Sequence, residues 1–400
     1  AGFEPELNWE NENGFQGMAE LCHGCGGCRG SQEVTGGVMC PTYRAMDEEA
    51  LSTRGRANAL RNAMSGSLPA DPTGDEFVEE VMDLCIGCKG CAKDCPSGVD
   101  MAKLKAEVEH AHNERHGVSL RDRLFTNADA VSRLGSALAP VSNALAGLPG
   151  AGRLQEALFG VASERSLPAF AGDSFESWCG RRTPSVAREE ARRSVLLFPD
   201  TYTNYNRPEV GKAAVRVLEA MDVHVQVPDV GPSGRAAHSK GRLGVARERA
   251  QAVVDDLAPR VREGWDVVVL EPSDAVMFQH DYLDLLSGHD VEHLAEHSYG
   301  FCEYLDAHRL DEHLPLSGTE TVTYHGHCHQ KATLKDHHAV GVLRRAGYEV
   351  DAIDSGCCGM AGSFGYEAEH YSMSRAIGDV LVGQVADSGG ERVVAPGASC

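Results

Sequence analysis

Cys85-Ile-Gly-Cys88-Lys-Gly-Cys91-Ala-Lys-Asp-Cys95-Pro96 decides how the first quarter of this 400-residue chain must be read. Three cysteines two residues apart wrap a short loop around three corners of a four-iron cubane. The fourth, followed by proline, is thrown clear and reaches a different cluster. Gly87 and Gly90 let the loop coil tightly and aim its amides at sulfur. Zinc favours two separated pairs of ligands, and disulfides need no such spacing.

Working outward, Cys22-x2-Cys25-x2-Cys28 repeats the loop, with Gly24, Gly26 and Gly27 supplying freedom, and Cys40-Pro41 follows after a longer insert. Crossing the fourth ligands gives two complete quartets: Cys22, Cys25, Cys28 and Cys95 for one [4Fe–4S] cluster, and Cys85, Cys88, Cys91 and Cys40 for the other. One cluster plus a zinc site is the alternative. Phe77, Val78, Val81, Met82 and Cys85 recur at helical spacing and predict a helix leading into the second motif. Ser97 with Asp100 reads as a capping pair opening the next helix. Arg54, Arg56 and Arg61, between the motifs, read either as partners for cluster or partner-protein charge or as a solvated helix face.

The chain divides into an acidic linker (1–20), a helical ferredoxin-type 2[4Fe–4S] domain (21–115), a helical connector (116–190) and two α/β units (191–300 and 301–400), an α+β/α/β organisation overall. Val195 to Phe198, Val223 to Val227 and Trp265 to Leu270 read as strands, and Val210 to Met221 as a helix, so a mostly parallel sheet is expected. The two units align as a duplication. Ser194–Tyr202 matches Glu320–Cys328, Pro228–Arg235 matches Ile353–Met360, and Val269–Asp274 matches Ala395–Cys400, at an offset of 125 or 126. The second copy carries Cys328, Cys357, Cys358 and Cys400 where the first, degenerate copy has Tyr202, Pro232, Ser233 and Asp274.

Those four cysteines, with His325-Gly-His327-Cys328-His329, form a second candidate site. Adjacent cysteines bridge each other poorly as a disulfide, whereas adjacent thiolates can bridge iron. An iron–sulfur cluster, a zinc site and metal-free redox thiols all remain open. His327 and His329 are candidate proton donors there. Cys179 and Cys302 are isolated and read as idle thiols.

Acidic residues outnumber basic ones 59 to 37, the net charge is −22, and only eight lysines occur. Such a surface repels nucleic acid and anionic membranes and is what solubility in concentrated salt would require, so a halophilic source is expected. No apolar run reaches the length of a membrane span. No phosphate-cradling or serine-hydrolase motif is present. Fourteen cysteines at metal-ligand spacing in a long chain suit a reducing compartment. A chain that begins at Ala1 and stops at Cys400, inside a ligand motif, reads as part of a longer polypeptide whose last unit is truncated.

Leu21-Cys-His-Gly-Cys-Gly-Gly-Cys28, Ser52-Thr-Arg-Gly-Arg56, Tyr324-His-Gly-His-Cys-His-Gln-Lys331 and Gly356-Cys-Cys-Gly-Met360 together resemble the iron–sulfur subunits of anaerobic glycerol-3-phosphate dehydrogenase, glycolate oxidase and lactate utilisation systems. They are closest to a fusion type in which an FAD-linked D-2-hydroxyacid oxidase of the D-lactate dehydrogenase kind precedes the iron–sulfur half. The Cys-Cys-Gly units resemble those of heterodisulfide reductase, where flanking cysteines bind an unusual iron–sulfur cluster. The resemblance implies an electron-transfer module fed by a flavin-dependent dehydrogenase domain or subunit, with FAD only on that missing domain or partner. Quinone or another acceptor takes the electrons, and the protein is cytoplasmic or peripheral on the inner face of the membrane. Two other readings stand beside it, a Cys-Cys-Gly disulfide or substrate reductase and a zinc-stabilised scaffold. The first copy lacks every expected thiol, and the full motif would end Cys-x2-Cys, past residue 400.

Overall fold

A computed structural model describes residues 4–31, 38–66, 76–313 and 318–400. The helix expected before the second cysteine motif is present as Glu76–Asp83, and it buries Val78, Val81 and Met82. Phe77, counted in the same apolar repeat, turns outward and is 47% exposed. The next helix, Met101–His116, is capped by Asp100 alone, whose Oδ1 accepts from the amides of Ala102 and Lys103, both at 3.0 Å. Ser97 does not cap it. Its hydroxyl is hydrogen-bonded to His23 Nδ1 in the first cysteine loop. Asp100 Oδ1 alone holds both orphan amides, so the serine is free to join the two motifs.

Residues 4–20 are no linker. The helix Gly14–Glu20 and the turn before it bury Leu7, Trp9, Phe15 and Met18 in the ferredoxin-type core. Their anchor is Glu107, fully buried, which accepts from the amides of Glu6 (3.0 Å) and Leu7 (2.6 Å) and from Trp9 Nε1 (2.9 Å). The acidic composition hid four large apolar side chains at usable spacing. Arg56 likewise fits neither reading of the sequence. It is 2% exposed and donates to the carbonyls of Val81 and Leu51 and to Thr42 Oγ1, satisfying backbone groups at the helix ends it sits between.

The connector is helical, but its polarity is inverted. In Ala128–Ala137 the buried side chains are Ser132 and Ser136, and in Ala139–Ala146 only Ala139 is buried. Leu134, Leu138, Val141, Leu145 and Leu154 point to solvent, Leu134 being 64% exposed. Ser136 Oγ donates to the Ala171 carbonyl, and Gly135 leaves room for the Phe170 ring, which a Cβ would meet at 2.6 Å.

Among the described residues seven strands follow: β1 (Arg193–Phe198), β2 (Val223–Gln226), β3 (Asp266–Val269), β4 (Ser298–Gly300), β5 (Thr321–Tyr324), β6 (Glu349–Ala352) and β7 (Arg392–Val394). They form two all-parallel sheets, ordered β2-β1-β3-β4 and β6-β5-β7. β1 to β3 carry the β-branched runs read from the sequence, and β1 and β3 are buried on both faces, as parallel strands under helices must be. The helix Pro208–Ala220 begins on proline at its first turn, two residues before the sequence suggested. The β1, β2, β3 and β5, β6, β7 sets share one spatial order. In each, the chain leaves the central strand to opposite sides, so the switch point lies beyond the carboxyl end of β1 and of β5.

Salt bridges tie the parts together. Lys89, in the second cysteine loop, is paired with Asp281 of the first unit at 2.7 Å. His370 of the second unit meets Asp83 of the ferredoxin-type domain at 2.8 Å. Lys240 and Arg121 both reach the buried Glu367. No helix among the described residues is long and apolar enough to cross a membrane.

Candidate metal centres

Cys40, Cys85, Cys88 and Cys91 line one small cavity, together with Thr53 and Met101. This is the second quartet drawn from the sequence. Two of its sulfurs accept a backbone amide, Cys40 from Thr53 (3.1 Å) and Cys91 from Met101 (3.3 Å). Amides aimed at sulfur favour thiolate over thiol and are the hydrogen bonds by which a protein tunes a cluster. Burial pushes the Cys88 and Cys91 thiols well above their ordinary pKa.

Gly87 takes φ +61° here, a left-handed turn that glycine makes at no steric cost. Gly90 serves differently. Its φ is ordinary, but a Cβ would stand 2.6 Å from Val38 Cγ1, so it lets the two motifs approach. Asp94 Oδ2 completes that junction by accepting from the amides of Val38 (3.2 Å) and Met39 (2.9 Å).

The first loop is nearer the surface. Cys25 is exposed, and Cys22 and Cys28 are buried. Cys28 accepts from the Arg54 amide at 3.4 Å. Its hydrogen bond with Cys40, aided by that amide against the cost of burial, lowers its pKa to about 6. The sulfurs of the two quartets therefore meet at Cys28 and Cys40. Two residues past Cys95, the Ser97–His23 bond brings the chain beside the first loop. Arg54 bonds Glu49 (2.7 Å) and the Gly24 carbonyl, and Arg61 donates to the Cys22 carbonyl (2.9 Å). Both arginines hold the loop by its backbone.

A larger cavity, of about 210 Å³, lies beyond the carboxyl ends of the two sheets. Cys328, Cys357, Cys358 and Cys400 line it from one unit, and Tyr202, Pro232, Ser233 and Asp274 from the other. The four thiols form a contact series in the order Cys328, Cys357, Cys358, Cys400. The Gly359 amide donates to Cys357 Sγ at 3.4 Å. The bond to Cys357 outweighs burial and lowers the Cys328 thiol to about 7. Burial, reinforced by the neighbouring Asp200, pushes the Asp274 carboxyl up to about 8, and Ser233 donates to it.

His327 and His329 are buried here, but both have structural partners. His327 Nδ1 accepts from the His329 amide (3.1 Å), and His329 Nε2 donates to the Gly87 carbonyl (3.0 Å). His325 Nδ1 is bonded to Ser355 Oγ. Cys179 and Cys302 stand apart, and burial raises their thiols to about 11 and about 12. Sequence reading missed Glu271, which faces His327 at 3.8 Å and accepts from the Ala398 amide at 2.8 Å. It also missed Asp281, which is 1% exposed between Lys89 and Arg235. Asp281 lies 192 residues from Lys89 with no spacing to betray it. Glu271, three residues before Asp274 in a compared block, carried a faint signal.

Two interlocked thiol loops of ferredoxin spacing, set against a Cys-Cys-Gly site at the ends of parallel strands, define an iron–sulfur electron-transfer component of an oxidoreductase. Residues 18–99 match the family model of the 4Fe-4S dicluster domain, and residues 322–400 that of the cysteine-rich domain. Across a longer span the chain is 28% identical over 288 residues to a subunit of anaerobic glycerol-3-phosphate dehydrogenase from Escherichia coli K12, covering 70% of this chain and 72% of that one. It is 22% identical over 392 residues to the glycolate oxidase iron-sulfur subunit of the same organism, covering 96% and 89%. It is 25% identical over 312 residues to E. coli D-2-hydroxyglutarate dehydrogenase, covering 75% of this chain but only 30% of that longer protein. No solved structure matches the chain significantly.

Proposed function

We propose that this chain relays electrons from a flavin-dependent dehydrogenase, on another domain or subunit, to quinone or another acceptor. The substrate oxidised at the flavin is a D-2-hydroxyacid such as lactate or glycolate, or else glycerol 3-phosphate; the names of the relatives support both classes. Cys22, Cys25, Cys28 and Cys95 hold one [4Fe–4S] cluster, and Cys85, Cys88, Cys91 and Cys40 the other. Cys328, Cys357, Cys358 and Cys400 hold a third iron–sulfur centre. Bound there, the clusters supply one-electron chemistry, while the chain's own amides and buried walls set the environment of each.

The observation that carries the reading is the larger cavity. Cys85 and Gly87 of the second ferredoxin-type loop line it together with all four cysteines of the Cys-Cys-Gly site. A site used only to stabilise a fold has no need to share a cavity with a second metal loop. The paired units support a gene duplication. β1 and β5 end, and β2 and β6 begin and end, 126 residues apart. Anaerobically purified protein is expected to hold more than about eight irons with matching sulfide and no zinc. Eight irons alone would remove the third centre. One zinc beside the eight would make the Cys-Cys-Gly site a structural module.

The inverted connector supports a peripheral membrane position. Its exposed leucines alternate with the exposed Arg123, Arg133 and Arg153 in a chain otherwise strongly acidic. Exposed apolar and basic side chains on the connector helices suit an anionic lipid surface, against the repulsion expected from the chain's overall charge. The holoprotein is expected to float with phosphatidylglycerol vesicles, and a variant carrying Leu134→Asp, Leu138→Asp and Leu145→Asp to stay behind. Failure of the unsubstituted protein to float sinks the membrane assignment and leaves the relay untouched.

A further inference from the structure

The Gly87 carbonyl sits between two cysteines of the second loop, Cys85 and Cys88. It accepts a hydrogen bond from His329 Nε2 at 3.0 Å. His329 directly follows Cys328, and its amide also lies in hydrogen-bond reach of the Cys328 sulfur. A continuous path of bonds therefore runs from Cys88 through the Gly87 peptide and the imidazole to Cys328. We infer that His329 is the bridge by which electrons cross from the second ferredoxin-type loop to the Cys-Cys-Gly site. This rests on the reading that an iron–sulfur centre occupies that site.

Three features fit the role. The imidazole is 9% exposed, so water does not compete for its bond, and a hydrogen bond in such surroundings is electrostatically stronger than in water. A carbonyl can only accept, so Nε2 carries the hydrogen, and the ring is held in one tautomer and one orientation. Nδ1 is buried without a hydrogen-bond partner, so Nε2 makes the polar contact of the ring, whose edge-on neighbour is His327 at 5.3 Å. The far side of the loop is also fixed. Lys89, next to Cys88, is pinned to Asp281 at 2.7 Å, and the helix Cys328–Ala332 packs on Gly90–Asp94.

An order of travel follows. The quartet containing Cys88 lies next to the exit site. The loop with the exposed Cys25 is the outer one, where a donor can approach. Each crossing moves one electron, oxidising the centre it leaves and reducing the centre it reaches. No bond forms or breaks, and the imidazole neither gains nor loses a proton.

The test uses the holoprotein with His329→Phe and His329→Gln. Phenylalanine fills the space without a donor, and the glutamine amide can restore the bond to Gly87. Iron content and the potentials of all centres are expected to match the unsubstituted protein. After rapid mixing with one equivalent of dithionite, freeze-quench paramagnetic resonance follows reduction of the third centre. Its rate is expected to fall about tenfold or more in the Phe variant and to recover in the Gln variant. An unchanged rate in His329→Phe overturns the bridge. So does an equal slowing in both variants accompanied by shifted potentials, which marks a merely structural role. Absence of a third paramagnetic centre from the unsubstituted protein overturns the relay's third station and the bridge together, and metal analysis tells that case apart.

Discussion

Cys40→Ser will abolish the same paramagnetic signal as Cys88→Ser, and Cys95→Ser will abolish the other one. Each loss should remove roughly four irons. Sequence proximity suggests the opposite, because Cys40 is 12 residues from Cys28 and 48 from Cys88. The crossed assignment we propose rests on where Cys40 sits: it lines the cavity of Cys85, Cys88 and Cys91, and its sulfur accepts the Thr53 amide there, although it also meets Cys28. Serine is the right replacement because it keeps the volume of a buried position while binding iron poorly. Iron analysis on anaerobic protein, with spectra of the dithionite-reduced form, reads the result. If Cys40→Ser and Cys22→Ser silence the same signal, the ligands do not cross.

Asp281→Asn will destabilise the protein by ~3–5 kcal/mol, the usual cost of breaking a buried ion pair by removing one partner. Asp281 is 1% exposed, and it faces Lys89 at 2.7 Å and Arg235. Burial alone would raise its pKa, but the two cations outweigh that and hold its carboxyl well below the usual range. Asparagine is nearly isosteric, so the loss is electrostatic and not a cavity. It removes the ion pair of Arg235 and leaves Lys89 with only the more distant Asp100, at 3.9 Å. Because the folded pKa is depressed, the carboxylate's contribution is complete above the unfolded value near 3.9 and is lost as pH falls through the folded one. Chemical denaturation of the holoprotein at pH 7 measures the difference. A second variant, Lys89→Met and Arg235→Met with Asp281→Leu, removes all three charges and is expected to recover much of the stability. If Asp281→Asn alone costs under about 1 kcal/mol, the pair behaves as a surface bridge and does not clamp the cysteine loop.

How far the sequence speaks depends on the kind of signal. Cysteine spacing is local and chemically narrow, so Cys85 to Cys95 named its own cofactor class before any fold was known. The β-branched run at Val267 to Val269 was equally plain, because a strand buried on both faces tolerates little else. Composition misled at the N-terminus. Residues 4–20 are acidic on average, yet Leu7, Trp9, Phe15 and Met18 are spaced to enter a core. A mean cannot report that placement. Arg56 was invisible for another reason. Nothing marks an arginine as buried except the carbonyls it satisfies, and those come from Leu51 and Val81, on other elements. The pairing of Lys89 with Asp281 and of His329 with Gly87 depends on how separate domains dock, which no local pattern encodes.

Both sheets direct the carboxyl ends of their strands at a single chamber, and the residues facing it sit in loops and short helices, outside the hydrogen-bonded ladders. Chemistry and architecture are thereby uncoupled in this chain. Thiols could be exchanged for tyrosine, proline, serine and aspartate on one wall without disturbing a single rung of the sheet beneath. A scaffold of this kind can lose or regain a metal-binding wall by loop substitution alone. That makes the thiol-free wall the natural place to introduce four cysteines by design.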